Sequence, residues 1–366
     1  MAPDVYKTLA DWLATTFRAL PGIKKPEFMD LLRFLYTPKE AAFALQIGPE
    51  GGTLDALAAK TGMAREALKS LIRSMEQKGT IYTEPGSDNP IYRPLGLEVP
   101  GLAETSGWGD VNTPFKKTLL ELWDRFRPVY VNEAIAELGP HMRAWCMVRA
   151  LPADARPDEN LYEMIRQRGE AVAVAGCPCR LIERQSIRGE VCDCLLDCCM
   201  SFGEMARWAV EQGHARPVTG KEAIEILEAC AEKGQVHSGL PGAIICNCCR
   251  HACVNLYAMK MGKMHAYCPN HFYSVVDPDA CTTCGICVER CPVGAIRLEK
   301  TAVGDLDKCI GCGACAVGCE EKAVKIVRRS EEEIARLDAE FMQTSVRLVS
   351  KTKPDPLVLR LVGGQA

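Results

Sequence analysis

The period of the apolar positions changes several times along the 366 residues. Residues 1–36 read as one or two short amphipathic helices, broken by Pro21-Gly22 and Pro26. Thr53 is placed to cap a helix over 54–60, and Thr61-Gly62 turns the chain into a second helix over 64–78. Leu68, Leu71, Ile72 and Met75 recur at i, i+3, i+4 and i+7, which gives that helix one core-facing stripe. Gly79 ends it, and Ile81-Tyr82, a Pro85-Gly86 turn and Ile91-Tyr92 read as a two-stranded hairpin. Helical periods resume over 119–127, 132–138, 141–149 and 159–167. An apolar strand follows over 171–176, then a helix over 221–233 behind the capping residue Thr219. Short apolar strands are expected at 273–276, 295–298 and 323–327. A final helix starts at Ser330 and runs to about 350, and 357–362 reads as a last strand.

The helix-turn-helix and hairpin over 37–100 resemble a winged helix. Such a module binds DNA through a net basic face, because neutralising several phosphates takes several cations. Here seven basic residues face eight acidic ones, and only Arg65, Lys69 and Arg73 share a helix face. Docking of a protein partner, or a structural role, is the expectation, and DNA binding the lesser one.

The overall charge of −3 likewise excludes a broadly basic nucleic-acid surface. No stretch approaches the roughly 18 apolar residues of a membrane span. The first residues show no basic-then-apolar export signal, so the 21 cysteines point to a reducing cytoplasm where thiols hold metal.

Eight of those cysteines fall into two runs. Cys281, Cys284, Cys287 and Cys291, followed by Pro292, repeat the C-x2-C-x2-C-x3-C spacing that recurs in Cys309, Cys312, Cys315 and Cys319. That spacing wraps thiolates around a four-iron, four-sulfide cubane. With Gly285, Gly311 and Gly313 among the ligands and Asp279 and Asp307 ahead of them, residues 272–328 resemble the bacterial-type ferredoxin domain with two 4Fe-4S clusters. In that family the fourth cysteine of each run serves the other cluster. The resemblance therefore implies one cluster on Cys281, Cys284, Cys287 and Cys319, and a second on Cys309, Cys312, Cys315 and Cys291. Glu320 stands where the family has a proline, which implies a more exposed first cluster.

Thirteen cysteines remain. Cys146 and Cys230 lie in helical patterns and read as small buried hydrophobes. The other eleven are crowded upstream of the ferredoxin segment as candidate metal ligands: Cys177 and Cys179; Cys192, Cys194, Cys198 and Cys199; Cys246, Cys248, Cys249 and Cys253; and Cys268. An extended Cys177-Pro178-Cys179 would point both thiols the same way, and Arg180 would offset an anionic cluster. One or two ordinary clusters, one larger non-cubane cluster, or zinc at one site all satisfy this count. His251, His265 and His271 are candidate non-thiolate ligands, with surface or hydrogen-bonding roles the plainer reading.

Cys177-Pro178-Cys179-Arg180, Cys198-Cys199, Phe202-Gly203, the Arg216-to-Thr219 segment, Val236-His237 and Ile245-Cys246-Asn247-Cys248-Cys249 also resemble a recurrent family of cytoplasmic iron–sulfur proteins. Its members join an N-terminal helical or winged-helix region, a C-x-C-R module and a C-terminal dicluster domain. The resemblance implies an α+β multidomain chain, mostly helical in its N-terminal half. It divides into N-terminal helices (1–36), a winged-helix-like module (37–100), a helical connector (101–175), a Cys-rich iron–sulfur module (176–271), the ferredoxin domain (272–328) and a C-terminal helix and tail (329–366).

No phosphate-binding glycine loop, dinucleotide fingerprint, hydrolytic triad or H-E-x-x-H run is present. The visible chemistry is cluster chemistry. The expected function is transfer of low-potential electrons to or from a partner oxidoreductase. An iron–sulfur enzyme with a special cluster in the Cys-rich module, or a redox-sensing winged-helix regulator, are the alternatives.

Overall fold

The computed structural model describes residues 4–17, 25–95, 112–135, 142–168, 171–185, 192–240, 244–262 and 266–350. The chain begins with helices α1 (Val5–Phe17), α2 (Pro26–Leu35), α3 (Pro38–Ile47), α4 (Leu54–Thr61) and α5 (Arg65–Gln77). Proline at the first position starts α2 and α3, where a missing N–H costs nothing. Thr37 caps α3 reciprocally: its Oγ1 accepts from the Glu40 N–H at 3.3 Å, and the Glu40 carboxylate accepts from the Thr37 N–H at 2.7 Å. Thr53 caps α4, and Gly62 ends it in the left-handed region. Strands β1 (Ile81–Thr83) and β2 (Tyr92–Pro94) pair antiparallel after α5.

Helix α6 (Pro114–Val129) completes this N-terminal body rather than bridging away from it. Its Leu119, Trp123 and Phe126 share the core of α1 to α5, and Phe126 stacks on Phe28 with ring centroids 5.1 Å apart. Pro128 lies near its end, and the chain widens into a π turn over Tyr130–Ile135. The helix expected over 132–138 is thus a continuation of α6 as far as Ile135, and 136–138 lie outside the described residues.

The second body is a seven-stranded sheet built from β3 (Met142–Ala144), β4 (Val172–Gly176), β5 (Asp197–Phe202), β6 (Arg216–Val218), β7 (Val236–Leu240), β8 (Ile244–Cys248) and β9 (Tyr267–Cys268), in the order β6-β4-β5-β8-β7-β3-β9. Every pairing is antiparallel except β3 with β9. The helix expected over 141–149 is not formed. Residues 142–144 are drawn into the sheet between β7 and β9, and a 3-10 turn, Val148–Ala150, follows. Ladder hydrogen bonds to two neighbours outweigh a weak helical period.

Helices α7 (Leu161–Arg168) and α10 (Gly220–Glu232) cover one sheet face through Val172, Val174, Met200, Phe202, Leu227 and Ile245. Helix α8 (Pro178–Gln185) follows β4 and meets α6, where Arg127 pairs with Glu183. Helix α9 (Gly203–Glu211) joins the two bodies, since its Met205, Trp208 and Ala209 pack with Tyr82 and Ala175. Helix α11 (Val254–Lys260) follows β8.

The C-terminal segment carries β10 (Phe272–Val276), α12 (Ile286–Arg290), β11 (Ile296–Leu298), β12 (Ala302–Gly304), α13 (Ala314–Val317), β13 (Val324–Arg328) and α14 (Glu331–Ser350). Strands β10 and β13 pair antiparallel, as do β11 and β12. Three ties fasten it to the sheet body. Met147 N–H donates to the Cys312 carbonyl at 3.0 Å, Arg328 forks onto Glu159 at 2.7 and 2.9 Å, and Arg290 donates to the Ala231 and Glu232 carbonyls at the end of α10. No helix among the described residues is long and apolar enough to cross a membrane. The strand expected over 357–362 lies outside the described residues.

Candidate metal centres

The two C-terminal loops fold alike. Gly285 (φ 80°) starts α12 and Gly313 (φ 77°) starts α13, each in a left-handed conformation that turns the backbone around the preceding cysteines. One cavity is lined by Cys281, Cys284, Cys287 and Cys319, together with Thr282, Thr283, Glu320 and Glu321. A second is lined by Cys291, Cys309, Cys312 and Cys315, with Ile296, Ile310 and Ile326 among the walls. The fourth cysteine of each run has crossed to the other cavity. Backbone N–H groups point at the sulfurs: Ala302 donates to Cys281 at 3.5 Å and Ala295 to Cys291 at 3.1 Å. The first cavity is the open one, because Cys284 is exposed and the Glu320-Glu321 edge borders it. In the second, Cys309, Cys312 and Cys315 are buried. Burial pushes the Cys315 thiol up to about 12 and Cys312 well up too, so both stay protonated unless a cation is present. Four convergent thiols, donors to sulfur and glycine-lined walls fit a cubane at each cavity.

The upstream cysteines are sorted by the strand alternation of the sheet. Met200 and Phe202 of β5 and Ile245 of β8 face α10, so Cys199, Cys246 and Cys248 face the other way. Six thiols meet on that side. Cys177 hydrogen-bonds with Cys179 and Cys199, Cys199 with Cys246, and Cys248 with both Cys246 and Cys253. Cys179 lies in electrostatic reach of Cys248 and Cys253, which closes the ring. Tyr267 borders it, with its hydroxyl 3.7 Å from Cys253 and 3.1 Å from Ser238 Oγ, and Ser238 donates to Cys248 at 3.4 Å. Hydrogen bonds from neighbouring thiols hold Cys177 and Cys248 low. Hydrogen bonds to those same thiolates, then burial, push Cys179, Cys199 and Cys253 up. Without metal the ring thus ionises only in part, and a full set of six thiolates, four of them buried, requires a metal cation beside it.

Cys177 and Cys179 do not reach the ring from an extended unit. Pro178 is the first residue of α8, so Cys177 precedes the helix and Cys179 sits in its first turn. The opposite side of β5 carries Cys198, which accepts from Arg180 Nη2 at 2.7 Å and hydrogen-bonds with Cys230 of α10. Arg180 is only 1% exposed and also donates to the Asn247 carbonyl at 2.8 Å. It neutralises this thiol cluster from within.

Residues 274–297 match the model of the 4Fe-4S binding domain. No curated protein and no solved structure matches the chain. The match and the assembled cysteines agree in chemistry. The chain is an iron–sulfur protein. It carries at least one 4Fe-4S cluster and a redox function based on it.

The remaining cysteines and the candidate histidines of this iron–sulfur protein take other positions. Cys268 joins neither the ring nor the cavities: its sulfur lies against Arg143 and the Leu337 carbonyl of α14, in an apolar group with Phe341. It is buried there, apart from the other candidate ligands. Cys230 and Cys146 are buried as expected but not in neutral surroundings. Cys230 touches Cys198, and Cys146 backs the second cavity, where a Cβ on Gly313 would lie 3.0 Å from its sulfur. His271 is engaged on both ring nitrogens, by Glu159 at 2.6 Å and Asp338 at 2.9 Å. His265 lies outside the described residues. His251 stands beside Cys192, Cys194 and Cys249, and the four donor atoms lie within 4.8 Å of one another. The signal for it was the Cys249-Arg250-His251 spacing, which matches Cys192-Asp193-Cys194.

Proposed function

We propose that this chain moves single electrons between a partner oxidoreductase and its own Cys-rich module by way of two cubane sites. Cys281, Cys284, Cys287 and Cys319 hold the outer 4Fe-4S cluster, and Cys291, Cys309, Cys312 and Cys315 the inner one. Some or all of Cys177, Cys179, Cys199, Cys246, Cys248 and Cys253 hold the iron of the module. Bound clusters exchange one electron at a time over potentials from about −700 to +450 mV.

The observation that carries this reading is one apolar core. Ile310, Cys312 and Ala314 of the inner loop pack in it with Cys248, Cys253 and Tyr267 of the ring. The inner cavity and the ring therefore share apolar packing, while the one exposed cysteine, Cys284, lies at the outer cavity. The protein's own part is to fix these spacings, exclude water from the inner sites and present the Cys284 edge to a partner. The winged-helix-like module (37–100) supports docking better than DNA binding. Two of its three clustered cations are already ion-paired, Arg65 with Asp55 and Lys69 with Glu66.

One observation favours an enzymatic module as the second reading. Two ordinary cubanes need eight thiolates, and the ring offers six. Six exceeds the four of one cubane and falls short of the eight of two, so a single larger cluster that uses all six leaves iron with an open position or shared between its two halves.

Iron and sulfide content, with EPR of the anaerobically purified, dithionite-reduced chain, tests both readings. The expectation is more than the roughly eight irons of two cubanes, with spin–spin coupling between the two ferredoxin sites. Cys312→Ser should remove the inner site and slow reduction of the remaining module by a large protein reductant. A Cys312→Ser chain with unchanged iron and unchanged reduction kinetics would defeat the proposed path.

A further inference from the structure

Cys192, Cys194, Cys249 and His251 stand apart from the ring and the cavities. Their four donor atoms lie within 4.8 Å of one another, and the Cys192 and Cys249 sulfurs are 3.8 Å apart. A tetrahedral ion with Zn–S bonds of about 2.3 Å sets its sulfurs roughly 3.8 Å apart. A cubane holds each thiolate on a different iron and spreads the sulfurs to roughly 6 Å. Among the described residues no other group of three such donors is drawn so close, including the eight cysteines of the two cavities. The spacing therefore suits one ion and is too tight for a cluster.

Burial and second contacts agree with a built site. Cys192, Cys194 and Cys249 are buried. His251 Nδ1 is buried without a hydrogen-bond partner, a nitrogen left for a ligand. The Cys192–Cys194 loop is pinned from outside, where Gln235 Oε1 accepts from the Leu195 N–H at 2.8 Å, Arg184 donates to the Cys194 carbonyl, and Lys233 pairs with Asp193 at 2.5 Å. Three soft thiolates and one imidazole in a closed tetrahedron favour zinc, and all four positions are filled by protein, as in structural sites.

We infer that Cys192, Cys194, Cys249 and His251 form a structural zinc site, separate from the iron of this protein, that ties the loop before β5 to the turn after β8. Cys248 and Cys249 are adjacent in the chain but serve different metals. The site clamps the two segments that present Cys199 and Cys248 to the ring.

The test is metal analysis of the full-length chain, purified anaerobically from cells supplied with both iron and zinc. About one zinc per chain is expected beside the iron. Cys192→Ser and His251→Ala should each lower zinc about tenfold or more, with iron and sulfide retained. His251→Cys preserves four soft ligands and should keep its zinc, which guards against a variant that merely misfolds. Cobalt in place of zinc should give the intense d–d absorption of tetrahedral thiolate coordination, lost in His251→Ala. A zinc-free wild-type chain would overturn the inference. So would a Cys192→Ser chain that loses iron and sulfide in cluster proportion, or zinc that survives both Cys192→Ser and His251→Ala. Iron and sulfide measured in the same samples test the electron-transfer reading independently.

Discussion

Two glycines with nearly the same backbone angle should respond very differently to alanine. Gly285 (φ 80°) and Gly311 (φ 76°) both lie in the left-handed region within the two cysteine loops. Alanine at either position carries a conformational cost of about 1–2 kcal/mol. At Gly285 nothing lies within 4 Å of the new methyl, so that cost is the whole effect. At Gly311 the methyl would overlap Asn270 Oδ1 and the Phe272 carbonyl, and lie 2.7 Å from Asn270 Cγ. Asn270 cannot swing aside freely. Its Nδ2 donates to the Gly311 carbonyl at 3.0 Å, and its Oδ1 accepts from the Phe272 N–H at 2.9 Å, both bonds buried. Losing those two bonds adds about 1 kcal/mol each, and more if a donor is left unpaired. Displacing the Phe272 carbonyl also disturbs β10 where it begins. The total for Gly311→Ala is therefore at least about 3 kcal/mol, roughly twice that of Gly285→Ala. In anaerobic thermal melts Gly285→Ala should lower the midpoint by about 3 °C and Gly311→Ala by about 8 °C or more. Iron per chain should fall in Gly311→Ala through loss of the inner site, while Gly285→Ala keeps its iron. Equal midpoints for the two variants would refute the claim that Asn270 and β10 form an unyielding wall.

Two other perturbations probe the sheet body. Arg180→Met should cost about 3–5 kcal/mol, because it leaves the Cys198 sulfur and the Asn247 carbonyl buried without their cation. Arg180→Lys should recover only part of this, since one ammonium cannot match the guanidinium fork; soluble yield and melting midpoint measure both. Buried His214, against Trp208, is held down to about 4 from its ordinary 6.5, chiefly by burial and then by Lys116. Its folded value lies below the unfolded one, so its stability is complete above about pH 6.5 and is lost as pH falls toward 4. The full loss is about 3 kcal/mol, and His214→Gln should flatten the acid limb of stability between pH 6.5 and 5 relative to wild type. An unchanged limb would mean that His214 is already protonated in the fold.

Much of the local structure was legible in the sequence, and the illegible parts have identifiable causes. The Leu68–Leu71–Ile72–Met75 stripe and the Thr53 and Thr219 caps act within a few residues, so their helices form close to where the pattern put them. Residues 142–144 take their conformation from β7 and β9, roughly a hundred residues away in sequence, and no local period reports that. An extended Cys177-Pro178-Cys179 would point both thiols one way, but proline is also suited to a first helical position, and here it starts α8. The Fer4-type spacing is different in kind. Each loop wraps three of its own thiols and sends the fourth to the other cavity, so the geometry is written into intervals of two and three residues. The upstream thiols have no such interval, because their ring is assembled across β5, β8, α8 and α11.

The vicinal pairs show what the spacing upstream encodes instead. Neighbours on a strand point to opposite sides of a sheet. Cys199 therefore enters the ring while Cys198 faces Arg180 and Cys230, and Cys248 enters the ring while Cys249, just beyond β8, turns toward Cys192, Cys194 and His251. A count of adjacent cysteines overstates the ligands available to any single cluster. Of the eleven upstream candidates, six border the ring, three join the His251 group, one is paired with a buried arginine, and Cys268 packs against α14. The cysteine richness thus divides among different tasks, and the sheet does the dividing. Of the six ring thiols, Cys248 and Cys253 share their core with the Cys312 loop, which makes that junction the point at which to test the proposed electron path.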